Sequence, residues 1–172
     1  MENKDLDELL EKNFSNVNSW LNFAEAKNAA NIAFVVACIA AIFDLQDVNG
    51  ILYILCISFI ISGIISLISF LPRLENKVDR KTFSFLKNEK RKAKEDNLIF
   101  FENIKEYSGD TYIQQICKTY FSENEYKPTK YQLDLSDEIV YNSNIASRKY
   151  KLFKIAVDLD IIAFLLLAIS II

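Results

Sequence analysis

Apolar positions along the chain gather into two long runs in its first half and one at its end, with amphipathic stretches between them. The first run goes from Ala29 to Phe43 and is broken only by Asn31. The second, Gly50 to Leu71, is 22 residues without a charge, with four serines as its strongly polar side chains, and it stops at Pro72. Crossing a bilayer as a helix takes about 20 apolar residues, so the second run predicts a span and the first a short one. The turn-rich stretch 44–50 between them predicts a helical hairpin. The third run, Leu152 to Ile172, is entered through Lys154, Asp158 and Asp160 and is apolar beyond them except for Ser170, which predicts a C-terminal span with a polar collar.

Ahead of the first run, Leu6, Leu9, Leu10, Phe14, Val17, Trp20 and Leu21 recur at steps of three and four, the pattern of an amphipathic helix that runs toward the span. Between the second and third runs, Asn97 reads as the N-cap of a helix holding Leu98, Phe100, Phe101 and Ile104, and Asp110 as the cap of one holding Ile113, Ile116, Cys117 and Tyr120. Tyr131, Leu135, Ile139, Ile145, Lys149 and Phe153 carry helical spacing on to the last run. The expected architecture is an all-α integral membrane protein: an amphipathic helix over 1–28, a transmembrane hairpin over 29–72, a helical cytoplasmic unit over 73–151 and a transmembrane helix over 152–172.

Composition sharpens this picture by exclusion. Only 3 Gly and 2 Pro stand in 172 residues, which suits long helices. Histidine is absent, so the chain alone supplies no His base, Ser-His-Asp or Cys-His pair, or His-ligated metal, and the expectation is no catalytic residue, no metal and no cofactor. Cys38, Cys56 and Cys117 lack metal or disulfide spacing. The chain opens acidic, unlike a cleavable leader. Of the 20 basic residues, 17 fall in 73–154 and none in the 44–50 turn. Arg73, Lys77, Arg80 and Lys81 follow the second run, and Arg148, Lys149, Lys151 and Lys154 flank the start of the third. The positive-inside rule then puts the N-terminus and the large loop in the cytoplasm and the C-terminus outside. Net charge is −3, and the basic cluster at 87–94 is short, interrupted by Glu89 and tethered near the membrane, so it suits anionic lipid headgroups and no nucleic-acid partner is expected.

Three constellations stand out. Ser58, Ser62 and Ser66, with Gly63 and Ser69 beside them, make a small hydroxylated face on the second run, and Ala26, Ala30, Ala33, Ala37 and Ala40 a small face on the first. Such faces let membrane helices pack closely, within a hairpin or between subunits, and a pore lining is the other reading. Asp158 and Asp160 lie on roughly opposite sides of one helix; Lys154 suits Asp158 at i−4, and both acids are expected near the membrane–water boundary, the alternative being a polar pathway. Finally, the aromatic-rich loop helices together with Arg148 and Lys149 combine flat faces for a base with cations for a phosphate, against the plainer reading of a helical core with a basic collar.

Four blocks carry a resemblance: 23–30, with Phe23, Ala24, Glu25, Ala26 and Lys27 entering the first run; Leu71-Pro72 leaving the second; 97–104, from Asn97 through Phe100 and Phe101 to Ile104; and 142–150, from Asn142 through Arg148, Lys149 and Tyr150. In this order and spacing they resemble the transmembrane effector family of Pycsar, the pyrimidine cyclase system for antiphage resistance. The resemblance implies a bacterial inner-membrane effector that answers a cyclic nucleotide from a partner nucleotide cyclase and impairs the lipid bilayer, acting as a homo-oligomer in abortive infection. It adds Lys27, Asn97 and Phe101, which stand in these blocks, to Arg148 and Lys149 as candidate ligand-binding residues. The competing reading is a structural or adaptor membrane protein that recruits a cytoplasmic partner; an enzyme is disfavoured, because no nucleophile–base pair or metal cluster is visible.

Overall fold

The computed structural model describes residues 3–44, 50–72 and 97–171, with side chains as far as residue 167. The basic cluster at 87–94, the cations Arg73, Lys77, Arg80 and Lys81, and the hairpin turn at 45–49 lie outside the described residues. The described chain is all-helical: α1 (Asn3–Phe43), α2 (Gly50–Ile68), the single turn α3 (Phe101–Ile104), α4 (Gly109–Tyr120) and α5 (Lys130–Ile171). Helices α1 and α2 are long and apolar enough to cross a membrane. The amphipathic stretch and the first apolar run are one helix, because nothing between Leu21 and Ala29 breaks it.

The chain divides into two units, Met1–Leu21 with Arg73–Ser147 and Asn22–Pro72 with Arg148–Ile172, so α1 and α5 contribute to both. In the first unit the amphipathic face of α1 buries Leu6, Leu10 and Val17, and the other elements bury Leu98, Phe101, Ile104, Tyr112, Ile113, Ile116, Cys117 and Ile139. Tyr112, fully buried, is its polar hub: its hydroxyl donates to the Leu98 carbonyl at 2.8 Å and accepts from Asn13 Nδ2 at 3.0 Å. That bond also moves a helix start. The Leu98 carbonyl is engaged by Tyr112 and the Ile99 carbonyl by Asn16 Nδ2, so side chains serve these carbonyls where the chain turns before the helix. Asn97 therefore caps only the turn, accepting the Ile99 N–H at 2.9 Å, and α3 begins at Phe101.

The expected cap of α4 also shifts. Ser108, two residues before Asp110, is the N-cap and forms a capping box with Thr111, while Asp110 sits in the first turn, where its charge suits the helix dipole. Before α5, Thr129 and Gln132 exchange the same pair of bonds, Thr129 N–H to Gln132 Oε1 at 2.9 Å and Gln132 N–H to Thr129 Oγ1 at 3.3 Å. Of the expected face of α5, Ile139 and Lys149 are inside, Leu135, Ile145 and Phe153 are half-buried and Tyr131 is exposed, while Gln132, Ser136, Ser143 and Ala146 complete the buried stripe. Small and hydrogen-bonded side chains occupy this seam because α5 lies along other helices, and bulky residues fit beside a close contact better than within it.

Candidate functional site

All of the functional candidates except Asn97 and Phe101 lie in the second unit, where α1, α2 and α5 meet in three layers. The apolar layer holds Val35 and Ile42 of α1, Leu52, Leu55, Cys56 and Phe59 of α2, and Ala163 of α5. Next comes a polar layer. Asn31 Nδ2 donates to Ser62 Oγ and Ser66 Oγ, both at 3.1 Å, and Ser62 Oγ lies 3.1 Å from the Ala156 carbonyl and 2.9 Å from Asp160 Oδ2. Ser62 and Ser66 are fully buried, and Asp160 is 4% exposed. Each neutral hydrogen bond of this kind contributes about 0.6 kcal/mol between membrane helices, up to about 1.7 kcal/mol. The Asp160 carboxyl shares side-chain hydrogen bonds with Ser62 and Asn31 and is reached by no cation among the described residues.

The third layer is a charged junction. Lys149 of α5, buried to 8% exposure, gives its ammonium to Glu25 Oε1 and to the Ser69 carbonyl, both at 2.9 Å, and lies 5.4 Å from the centre of the Phe70 ring. The Ser69 carbonyl is free to accept because α2 ends there: the N–H groups of Ser69, Phe70 and Leu71 bond three residues back, tightening the last turn ahead of Pro72. Asn28 Nδ2 donates to the Ala24 carbonyl at 2.8 Å and to the Lys149 carbonyl at 3.2 Å, tying α1 to α5. Beside it the Lys27 ammonium stands 4.7, 5.5 and 5.3 Å from the ring centres of Phe23, Tyr150 and Phe153.

Outward, this unit is oily. All but four of the exposed large apolar side chains among the described residues belong to it, including Ile54, Ile57, Ile60, Ile61, Ile64 and Leu67 on α2 and Ile161, Ile162, Leu165 and Leu166 on α5. Polar groups inside and apolar groups outside is the reverse of a water-soluble bundle.

Of the candidate ligand residues, Lys27, Arg148 and Lys149 belong to this unit, whereas Asn97 and Phe101 belong to the first, where Phe101 packs on Trp20 and Phe100 with ring centres 5.7 and 4.8 Å away. Among the packing candidates, Ser62 and Ser66 face inward, Ser58 is half-buried, and a Cβ on Gly63 would meet Val35 Cγ1 at 3.4 Å. The expected alanine face of α1 is instead exposed at Ala26, Ala30, Ala33, Ala37 and Ala40. Ala24, Asn28, Asn31 and Val35 are the contact, because their carboxamides have partners on α2 and α5. Lys154 and Asp158 form the expected exposed pair at 2.9 Å, and Asp160 points into the bundle. Sequence reasoning missed Glu25, Asn28 and Asn31. Their signal was a three-residue spacing that puts all three on one face of a helix, next to the apolar stripe.

A family model described as the Pycsar effector protein domain matches residues 9–172. No curated protein and no solved structure matches the chain.

Proposed function

The chain belongs to the Pycsar effector family, and from that premise we propose that it lies in the bacterial inner membrane with three spans and impairs the bilayer when its cyclic nucleotide binds. Family membership makes it an antiphage defence effector of a system whose signal is a cyclic nucleotide and whose partner is a cyclase. The observation that carries the membrane part is the inverted second unit, with Ile161, Ile162, Leu165 and Leu166 of α5 exposed as fully as the outer face of α2. This supports a third span at the C-terminus, with the N-terminus and the segment after Pro72 in the cytoplasm.

In this reading the ligand acts at the Lys149 junction. The Glu25 side chain is 45% exposed while the side chain of its partner Lys149 is 10% exposed, so the anion of the pair is the half within reach of solvent. A nucleotide phosphate is a stronger anion with more acceptor oxygens and takes the place of Glu25. Lys27 and Arg148 add charge alongside, and Phe23, 52% exposed, offers a face for the base. Displacing Glu25 removes a tie between α1 and α5, and the spans rearrange or assemble with those of other subunits. A shift from about 1:99 to 99:1 needs roughly 5.5 kcal/mol of preference for the active arrangement, which several sites in a homo-oligomer supply.

The test is release of a trapped dye from vesicles carrying the full-length protein, against a panel of cyclic mono- and dinucleotides. One nucleotide should trigger release, Lys149→Gln should abolish the trigger without loss of insertion, and Glu25→Gln should raise release without ligand. Correct insertion with no release for any nucleotide would favour the adaptor reading.

A further inference from the structure

In the polar layer the Ser62 hydroxyl meets three partners, Asn31 Nδ2, the Ala156 carbonyl and Asp160 Oδ2, with one hydrogen to donate and two lone pairs to accept. The Asn31 amide donates into one lone pair. Satisfying the Ala156 carbonyl, which can only accept, takes the hydrogen. The remaining lone pair faces Asp160 Oδ2 and needs a donor, which an ionised carboxylate lacks. With Asp160 charged, two acceptors compete for one hydrogen and one oxygen–oxygen contact is left repulsive; with Asp160 protonated, all three contacts are satisfied together. Flipping the Asn31 amide would turn a donor toward Ser62 and Ser66 into a further acceptor and sharpen the conflict.

Asp160 Oδ1 points the same way. It is buried without a hydrogen-bond partner, on a side chain that is 4% exposed. A carboxylate oxygen in that state is costly, whereas the carbonyl oxygen of a neutral acid bears isolation far better. Among the described residues no Lys or Arg pairs with it. Facing it, α1 presents Asn31, whose side chain also hydrogen-bonds the Asp160 carboxyl, and the thiol of Cys38, α2 presents Ser62 and Ser66 and has no charged residue, and on α5 itself Lys154 is engaged with Asp158 at the surface.

We infer that Asp160 is a proton-binding site: the packed helices hold its carboxyl neutral, with the O–H given to Ser62, and the proton leaves to water when the bundle opens. The atoms balance, since the carboxyl loses H⁺ to solvent and the Ser62 hydrogen is then free to turn from the Ala156 carbonyl to the carboxylate. An ionised Asp160 cannot return to the closed site without regaining a proton, so opening is favoured as pH rises, by at most about tenfold per pH unit for one proton. The effect on leakage rests on the membrane reading above; the protonation itself does not.

The test uses the full-length protein in phosphatidylethanolamine–phosphatidylglycerol vesicles. Infrared spectra at neutral pH without nucleotide should show the carbonyl stretch of a protonated carboxyl that survives Asp158→Asn, vanishes in Asp160→Asn and moves to higher frequency in Ser62→Ala, where the acceptor is gone. Dye release by the wild type should climb with pH, and release by Asp160→Asn should stay low and flat. Absence of the band, its persistence in Asp160→Asn, or an Asp160→Asn variant that follows pH like the wild type would overturn the proton site. Should Asp160→Asn fail to insert, an unmoved band in Ser62→Ala overturns it instead. If no condition makes the vesicles leak, the membrane-gating reading fails while the infrared band still decides the proton site.

Discussion

At Gly109 the absence of one methyl group decides whether α4 can lie against α5. A Cβ there would come 2.1 Å from Asp137 Oδ1 and 2.9 Å from the Asp137 backbone nitrogen. The side chain can swing away, but the helix backbone behind it cannot. Gly109→Ala is therefore expected to cost about 1–3 kcal/mol, the usual range for overpacking, read as a lower thermal midpoint by circular dichroism in detergent. Cys117 makes a pH prediction. Burial, with Glu123 adding to it, pushes its thiol up from 9.0 to about 11. The folded state then holds this proton more tightly than the unfolded one, so the contribution is fully present below pH 9 and is lost as pH rises through about 11. The unfolding midpoint should fall across that window, and Cys117→Ser should shrink the fall. Maleimide should label Cys117 slowly at neutral pH, because the thiolate is the reactive form. The burial of the apolar residues Leu6, Leu10 and Val17 was legible from spacing alone, whereas the fate of Asn31 was not, since an isolated carboxamide within an apolar run gives no sign of the hydroxyls that receive it.

Helices α1, α2 and α5 each bury a narrow stripe at steps of three and four, and in the second unit that stripe changes from apolar to polar along its length. On α2, Ser62 and Ser66 of the serine face recur at i and i+4 and both point inward, while Ser58 is half-buried. For α1 the contact within the chain lies on a different side from the alanines, because alanines and carboxamides alternate around the helix and small size alone does not choose a neighbour within the same chain. Hydrogen bonds choose, and they favour Asn28 and Asn31. It follows that Ser62→Leu, which puts bulk into the seam and breaks the polar layer, should lower ligand-triggered dye release severalfold, while Ile60→Leu on the exposed face should leave it near wild type. Gly63→Ala should be mild, because the new Cβ meets Val35 at 3.4 Å, an ordinary contact, whereas Gly63→Leu should behave like Ser62→Leu.

For the whole molecule, the arrangement of basic residues makes the most direct prediction. A reporter fused after Ile172 should read periplasmic and one inserted near Glu125 cytoplasmic; a cytoplasmic reading at Ile172 would remove the third span. Helical class, the two helices long and apolar enough to cross a membrane and the family were all readable from the chain itself, since they depend on local periodicity, run length and ordered blocks of residues. Local chemistry also marked Lys149 and Asp160 as unusual, but not what they touch. Only the folded chain, by bringing Glu25 and Ser69 to Lys149 and Ser62 to Asp160 across 124, 80 and 98 residues of sequence, decided that one charge is held by a partner and the other side chain is closed in among neutral groups. Such pairings depend on helix rotation and register, and a change of one residue step, about 100° around a helix, carries a side chain from the seam to the lipid-facing side.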